Sequence, residues 1–161
     1  MSGSDGAGGR PAVCGLLVLD TNIALDLLVF DDPRIGGLSR ALERESVTWI
    51  ATAAMRAELL RVLGYPQLVR RLAALEAAPD SILSRFDRLS RIVSDAPRCA
   101  VRCSDPDDQR FIDLAVAHQA VLLSKDLAVL RLCQRLRAVG AGVHDSFQSI
   151  RSRSPANSIG Q

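Results

Sequence analysis

Acidic and polar side chains recur in this chain where apolar runs end. The stretch "LLVLDTNIAL" (16–25) passes from aliphatic residues into Asp20, Thr21 and Asn22, then back to aliphatics. "SDPDDQRF" carries Asp105, Asp107 and Asp108, and "LLSKDLAVL" carries Ser124, Lys125 and Asp126. Glu58 follows Met55 by three residues and precedes Val62 by four. On a helix that spacing places it at the border of the apolar face, where it can lean over the edge of a sheet.

Carboxylates from separate segments cannot all stay ionised if they share one cleft. Two of them about 5 Å apart repel by roughly 3 kcal/mol at an effective dielectric near 20. Either some retain protons or a cation binds among them. An all-oxygen set of carboxylates and water suits Mg²⁺ or Mn²⁺, and neither histidine falls within these motifs to argue for zinc. Each residue also has a plain structural use. Asn22 can cap the helix after it. Asp105 before Pro106 is a good N-cap, with Asp108 in the favourable first turn. Asp126 can cap its own helix, and Glu58 can reach out to water.

The elements that would carry these residues follow from apolar periodicity. Residues 12–19 form a short, nearly continuous apolar run, as in a strand covered on both faces. A helix is expected over 23–29, a turn at "DDPRIGG", and a short amphipathic helix through Leu38, Ala41, Leu42 and Glu45. "VTWIA" (47–51) reads as a second strand. From Thr52 the period is helical through Met55, Leu59, Val62 and Leu63, until "GYP" stops it. Leu68, Leu72 and Leu75 mark the next helix; Ile82, Phe86, Leu89 and Val93 mark another, begun near Pro79 and Asp80. "RCAVRC" (98–103) is expected as a third strand, followed by a helix through Phe111, Ile112, Ala115 and Val116. "AVLLS" (120–124) reads as a strand, Leu127, Leu130, Cys133 and Leu136 as one helix, and "AGVHD" (141–145) as a last strand. Such alternation implies a mostly parallel sheet wrapped by helices. In an open parallel sheet, ligands sit beyond the carboxyl ends of the strands, where strand order reverses. The acid-bearing segments are the ones expected there.

Composition sets the outer bounds. The chain has 161 residues, 48% hydrophobic and 24% charged, which fits one globular domain with a real core. No apolar run approaches the roughly 20 residues of a membrane span. The leader (1–11) and tail (149–161) read as unstructured, leaving 12–148 as the folded part. With no secretory signal at its start, the chain is expected in the cytoplasm, with Cys14, Cys99, Cys103 and Cys133 as reduced thiols. Cys99 and Cys103 lack a second Cys or His pair to complete a zinc site. The net charge is +2, and nearly every base is arginine, Lys125 being the single lysine. Arginine forks suit phosphate oxygens, although genome composition explains the bias equally well.

Taken in order, "LVLDTN", "RAELLRVLGYP", "DPDDQRFIDLAVA" and "LLSKDLAVL" resemble the PIN-domain nucleases, most closely the group described as toxins of toxin–antitoxin systems. The likeness covers about residues 14–148. It implies a single-domain, three-layer α/β/α fold with a short parallel sheet, and a metal-dependent endoribonuclease. Carried over position by position, the family's four acids fall on Asp20, Glu58, Asp108 and Asp126. Asp108 takes the third place over Asp105 and Asp107 because its spacing to Asp126 matches the family's pattern; Asp105 remains a neighbour of the site. Ser124 stands where the family usually has threonine, and Asn22 matches the polar partner of the first acid.

The resemblance thus implies phosphodiester hydrolysis of single-stranded RNA. Asp20, Asp108 and Asp126 would hold Mg²⁺ or Mn²⁺, with Glu58 on a metal or its water. Thr21, Asn22 and Ser124 would orient the ligating carboxylates. Arg56, Arg61 and Arg110 are candidates for meeting the RNA backbone. A cognate antitoxin and a second copy of the chain are the implied protein partners, with residues 66–77 a candidate contact. Two other readings stand beside this one. A haloacid-dehalogenase-like phosphohydrolase needs a second aspartate two positions after the first, where this chain has Asn22. The other is a PIN-fold interaction or RNA-binding module without activity.

Overall fold

The computed structural model describes residues 15–151. Five short strands form one parallel sheet: β1 (Leu16–Leu19), β2 (Thr48–Ala51), β3 (Ser90–Ile92), β4 (Val121–Leu123) and β5 (Gly142–His144). Their spatial order is β3-β2-β1-β4-β5. The chain therefore builds outward from β1 to one edge, then crosses back and builds from β4 to the other. Strand order reverses between β1 and β4, whose registered pairs run Leu17–Val121, Val18–Leu122 and Leu19–Leu123. That pair is buried on both faces, which explains its nearly uniform aliphatic sequence.

Helices flank the sheet, giving the three-layer arrangement expected. They are α1 (Thr21–Leu25), α2 (Leu38–Glu43), α3 (Ala53–Leu63), α4 (Pro66–Ala74), α5 (Pro79–Leu89), α6 (Gln109–His118), α7 (Leu127–Leu130), α8 (Cys133–Ala138) and α9 (Phe147–Arg151). A π-type turn (Asp26–Phe30) continues α1, and short 3₁₀ turns cover Pro33–Ile35 and Pro106–Asp108. The buried face of α5 packs against β2, with Phe86 edge-on to Trp49 at a centroid distance of 4.9 Å. The last helix runs past the expected end of the folded part at 148. Residues 12–14 of the expected first strand, Cys14, and the leader lie outside the described residues, as does the tail beyond Arg151. Cys99, Cys103 and Cys133 are half-buried free thiols packed on the core edge.

The third strand is not where periodicity put it. Residues 98–103 form no strand; the third strand is Ser90–Ile92, which had read as the end of a helix through Val93. The helix stops at Leu89, and the Ser90 hydroxyl donates to the Phe86 carbonyl at 2.8 Å. Ser90–Ile92 is only 3 residues long and largely exposed at the sheet edge, so no alternation marks it. Residues 98–103 are instead held by side chains of α6. Asp113 Oδ1 accepts from the Cys99 N–H at 3.0 Å, and Gln109 Oε1 accepts from the Cys103 N–H at 2.8 Å. Gln109 Nε2 donates to the Val101 carbonyl at 2.8 Å and to Asp113 Oδ1 at 2.9 Å. A neighbouring strand is not needed once side chains satisfy the backbone.

Two further expectations shift. Helix α1 begins at Thr21 because Asp20, not Asn22, caps it, and Asn22 is exposed in the first turn. The expected single helix over 127–136 is two, separated at Arg131 and Leu132. Its buried positions are Val129, Leu132 and Leu136, while Leu127 is 65% exposed. The spacing is helical, but the face is offset from the one the leucines suggested.

Because Gln109 ties down the segment leading into Asp105, Gln109→Leu should destabilise the fold by about 2 kcal/mol. Hydrogen exchange should accelerate at Cys103 ahead of the sheet, and unchanged protection there would refute the tether.

Candidate active site

A cleft of about 260 Å³ opens at the carboxyl ends of β1 and β4. Its walls include Asp20, Thr21 and Asn22 after β1, Glu58, Arg61 and Tyr65 from α3 and the bend after it, Asp107, Asp108 and Arg110 at the start of α6, and Asp126 after β4. Four segments far apart in sequence thus deliver their polar residues to the strand-order switch point. Glu58 sits half-buried at the border of the α3 apolar face, as its spacing implied.

Asp20 ends β1. Its N–H donates to the Leu123 carbonyl at 3.2 Å, and its Oδ1 accepts from the Ile23 N–H at 2.9 Å. Burial raises its pKa; the Ser124 hydroxyl and the Ile23 N–H draw it back, the Asp126 charge adds to the rise, and Lys125 opposes it. Ser124 is fully buried after β4, and its Oγ also accepts from the Asp126 N–H at 3.1 Å. One hydroxyl therefore touches both acids across the switch point. Lys125 turns away from the cleft, its Nζ lying 2.6 Å from Oδ2 of the buried Asp26 on the π-type turn. This ion pair links the segment carrying Asp126 to the one beginning at Asp20.

The tightest convergence is Asp105, Asp108 and Asp126, each offering one oxygen within 4.8 Å of the others. Asp105 Oδ1 accepts from the Asp107 N–H at 3.0 Å, and Asp126 Oδ1 accepts from the Ala128 N–H at 2.9 Å. Both are N-caps, so each has one oxygen committed to the backbone. Asp108 Oδ2 is buried without a hydrogen-bond partner. Burial first, then the hydrogen bond with Asp126 and the charges of Asp126, Asp105 and Asp20, push the Asp108 carboxyl up to about 7. Asp126 is lowered, first by that same hydrogen bond and then by the Ala128 N–H. The two carboxyls therefore titrate as a pair that shares a proton, with Asp108 the harder of the two to ionise.

An orphaned buried carboxylate oxygen, beside two others and with no sulfur or imidazole among them, fits a small divalent cation bound through oxygen. The set nearest one another differs from the one the family pattern suggested. Asp105, which is not among the cleft's lining residues, joins Asp108 and Asp126, while Asp20 and Glu58 line the cleft outside that set. Glu58 Oε1 is engaged by Arg61 Nη2 at 2.6 Å.

The arginines separate. Arg61 and Arg110 line the cleft, but Arg56 is not among its lining residues. Arg56 forks onto Asp87 of α5 at 2.7 and 2.9 Å and so joins two helices. Four residues outside the candidate set also line the cleft: Val62, Tyr65, Asp107 and Phe111. Asp107 and Phe111 sat beside chosen residues, and only Tyr65, in "GYP", stood out as an aromatic where a helix must break.

Without a cation, pH should tune stability through Asp108. Between its ordinary value of 3.8 and about 7, the folded chain holds a proton that the unfolded chain has lost, so stability falls as pH rises through that window. Asp20, also raised, acts in the same direction. The lowered Asp126 contributes stability present above its ordinary pKa and lost as pH falls further. In EDTA, the melting temperature should therefore decline from about pH 4 to about pH 7, Asp108→Asn should flatten the decline, and Mn²⁺ should restore stability near pH 7. A wild-type profile parallel to that of Asp108→Asn would refute the shared proton. Separately, Lys125→Met strands the buried Asp26 charge and should cost about 2–3 kcal/mol in chemical denaturation. That is less than a fully buried pair would cost, because the lysine side chain is 32% exposed.

No helix of the described residues is long and apolar enough to cross a membrane. No curated protein and no solved structure matches the chain. A family model described as PIN domain matches residues 16–128, from the first strand to the start of the helix that Asp126 caps. The match spans every segment that feeds the cleft, and the five-stranded parallel sheet is the fold the family implies. The chain belongs to the PIN-domain family, a family of nucleases.

Proposed function

We propose that this protein is a metal-dependent endoribonuclease that hydrolyses phosphodiester bonds in single-stranded RNA. The observation that carries the reading is Asp108 Oδ2, buried and unpartnered among carboxylates from separate segments. Gathering these carboxylates costs electrostatic energy, and a divalent cation held among them would offset it.

Asp105, Asp108 and Asp126 would hold Mg²⁺ or Mn²⁺, with Asp20 and Glu58 on the same cleft wall to ligate a second ion or its water. Held by those carboxylates, a divalent ion would supply positive charge to acidify a water and to offset charge on the leaving oxygen. The chain's own residues do the positioning. Ser124 fixes Asp20 and Asp126 relative to each other, and the three backbone caps orient one oxygen of Asp20, Asp105 and Asp126. Thr21 and Asn22, on the first turn of α1, line the approach to Asp20. Arg110 and Arg61 add positive charge where a polyanion would enter. The wider setting, a cytoplasmic toxin held by an antitoxin or paired as a homodimer, rests on the likeness of the four motifs to toxin-group PIN domains.

Labelled single-stranded RNA should be cleaved internally with Mg²⁺ or Mn²⁺ and spared in EDTA. Asp108→Asn and Asp126→Asn should each lower the rate by more than about a hundredfold, beyond the 10–100-fold expected for Ser124→Ala. Undiminished cleavage by Asp126→Asn, or turnover of a phosphate monoester with no action on RNA, would overturn the proposal.

A further inference from the structure

We propose that Tyr65 and Arg61 form a nucleobase subsite at the rim of the acidic cleft, taking one unstacked base of a single strand. The inference deepens the nuclease reading and rests on it.

Tyr65 occupies the bend between α3 and α4, where it is the N-cap residue of α4 without any side-chain capping bond. Hydrophobic demand at this bend is met by Leu63 and Leu68, both buried, so the ring is not needed in the core. It is 38% exposed and lines the cleft. The other aromatic on the cleft wall, Phe111, is only 5% exposed and packs inward. In a chain with just 4% aromatic residues, the described part of the cleft thus presents one accessible aromatic ring, and presents it beside the acids.

Arg61 sets that ring in place. Its Nη1 donates to the Tyr65 hydroxyl at 2.6 Å, its Cζ lies 5.7 Å from the ring centroid, and its Nη2 reaches Glu58 at 2.6 Å. The ring is therefore pre-positioned, which lowers the ordering cost of stacking a base on it. The guanidinium remains 60% exposed at the side chain, with N–H donors left for a phosphate oxygen of the stacked nucleotide. Glu58, Arg61 and Tyr65 together connect a base platform to the acidic centre through one fork. A base within a duplex is already stacked on its neighbours, so this platform selects single strands.

The test uses the full chain carrying Asp20→Asn with Mn²⁺ and a single-stranded RNA oligonucleotide containing 2-aminopurine, whose fluorescence is quenched on stacking. Adding Tyr65→Ala should weaken binding about tenfold to a hundredfold and abolish the quenching. Tyr65→Phe, which keeps the ring, should retain most of both, and duplex binding should not respond to either change. Equal binding and quenching with and without the ring would overturn the subsite, as would equal losses in the alanine and phenylalanine variants. Retained RNA cleavage by the otherwise unaltered chain would then show that only the subsite had failed. A chain that neither cleaves nor binds single strands overturns the subsite and the nuclease reading together.

Discussion

Repulsion between carboxylates gathered at the β1–β4 switch point is the constraint around which the site is organised. Asp20 and Asp126 leave adjacent parallel strands in the same direction, and Asp105 and Asp108 approach from the start of α6. Left alone, these charges would push the elements apart. The chain opposes this in three ways: burial of the apolar β1–β4 pair beneath them, backbone N–H groups aimed at individual oxygens, and the Lys125–Asp26 pair tying the β4 loop to the segment after β1. The residual strain is concentrated on Asp108, the acid whose buried oxygen finds no donor.

Capping and chemistry are not alternatives in this cleft. Asp20, Asp105 and Asp126 each cap the turn or helix that follows, and each does so with Oδ1. A cap immobilises the carboxylate and leaves its second oxygen available, which is what a ligand for a small, geometrically demanding ion requires. Short strands followed at once by a capped turn are an economical way to hold an acid at a sheet edge. Asp108 differs in being inside the 3₁₀ turn that Asp105 caps. Its own N–H donates to the Asp105 carbonyl at 3.1 Å, but no backbone N–H reaches its buried Oδ2.

Arginines, nearly all of the chain's basic residues, serve two ends. Arg56, Arg85 and Arg88 join helices to one another or to the sheet-covering segments, through Asp87, the Leu27 carbonyl with Ser39, and Glu43. Arg61 and Arg110 stand at the cleft. The same planar fork serves both roles, which is why residue type could not separate Arg56 from Arg61.

Much of this was legible in the residues themselves. Strands β1, β2, β4 and β5 and the helices Ala53–Leu63, Pro66–Ala74 and Gln109–His118 follow from apolar runs, helical periods and caps, because burial acts directly on composition. The acids at strand ends could be named for the same reason, since a charge that terminates an apolar run must lie at an edge. What the sequence could not contain was distance. That Ser90–Ile92 pairs with the sheet while residues 98–103 lean on Gln109 depends on which backbone groups find partners, and a three-residue strand carries no period. That Asp105 stands with Asp108 and Asp126, that Arg56 faces Asp87, and that Tyr65 faces the acids are likewise outcomes of packing. Periodicity records which side of an element is dry; only the folded chain decides which wet sides meet.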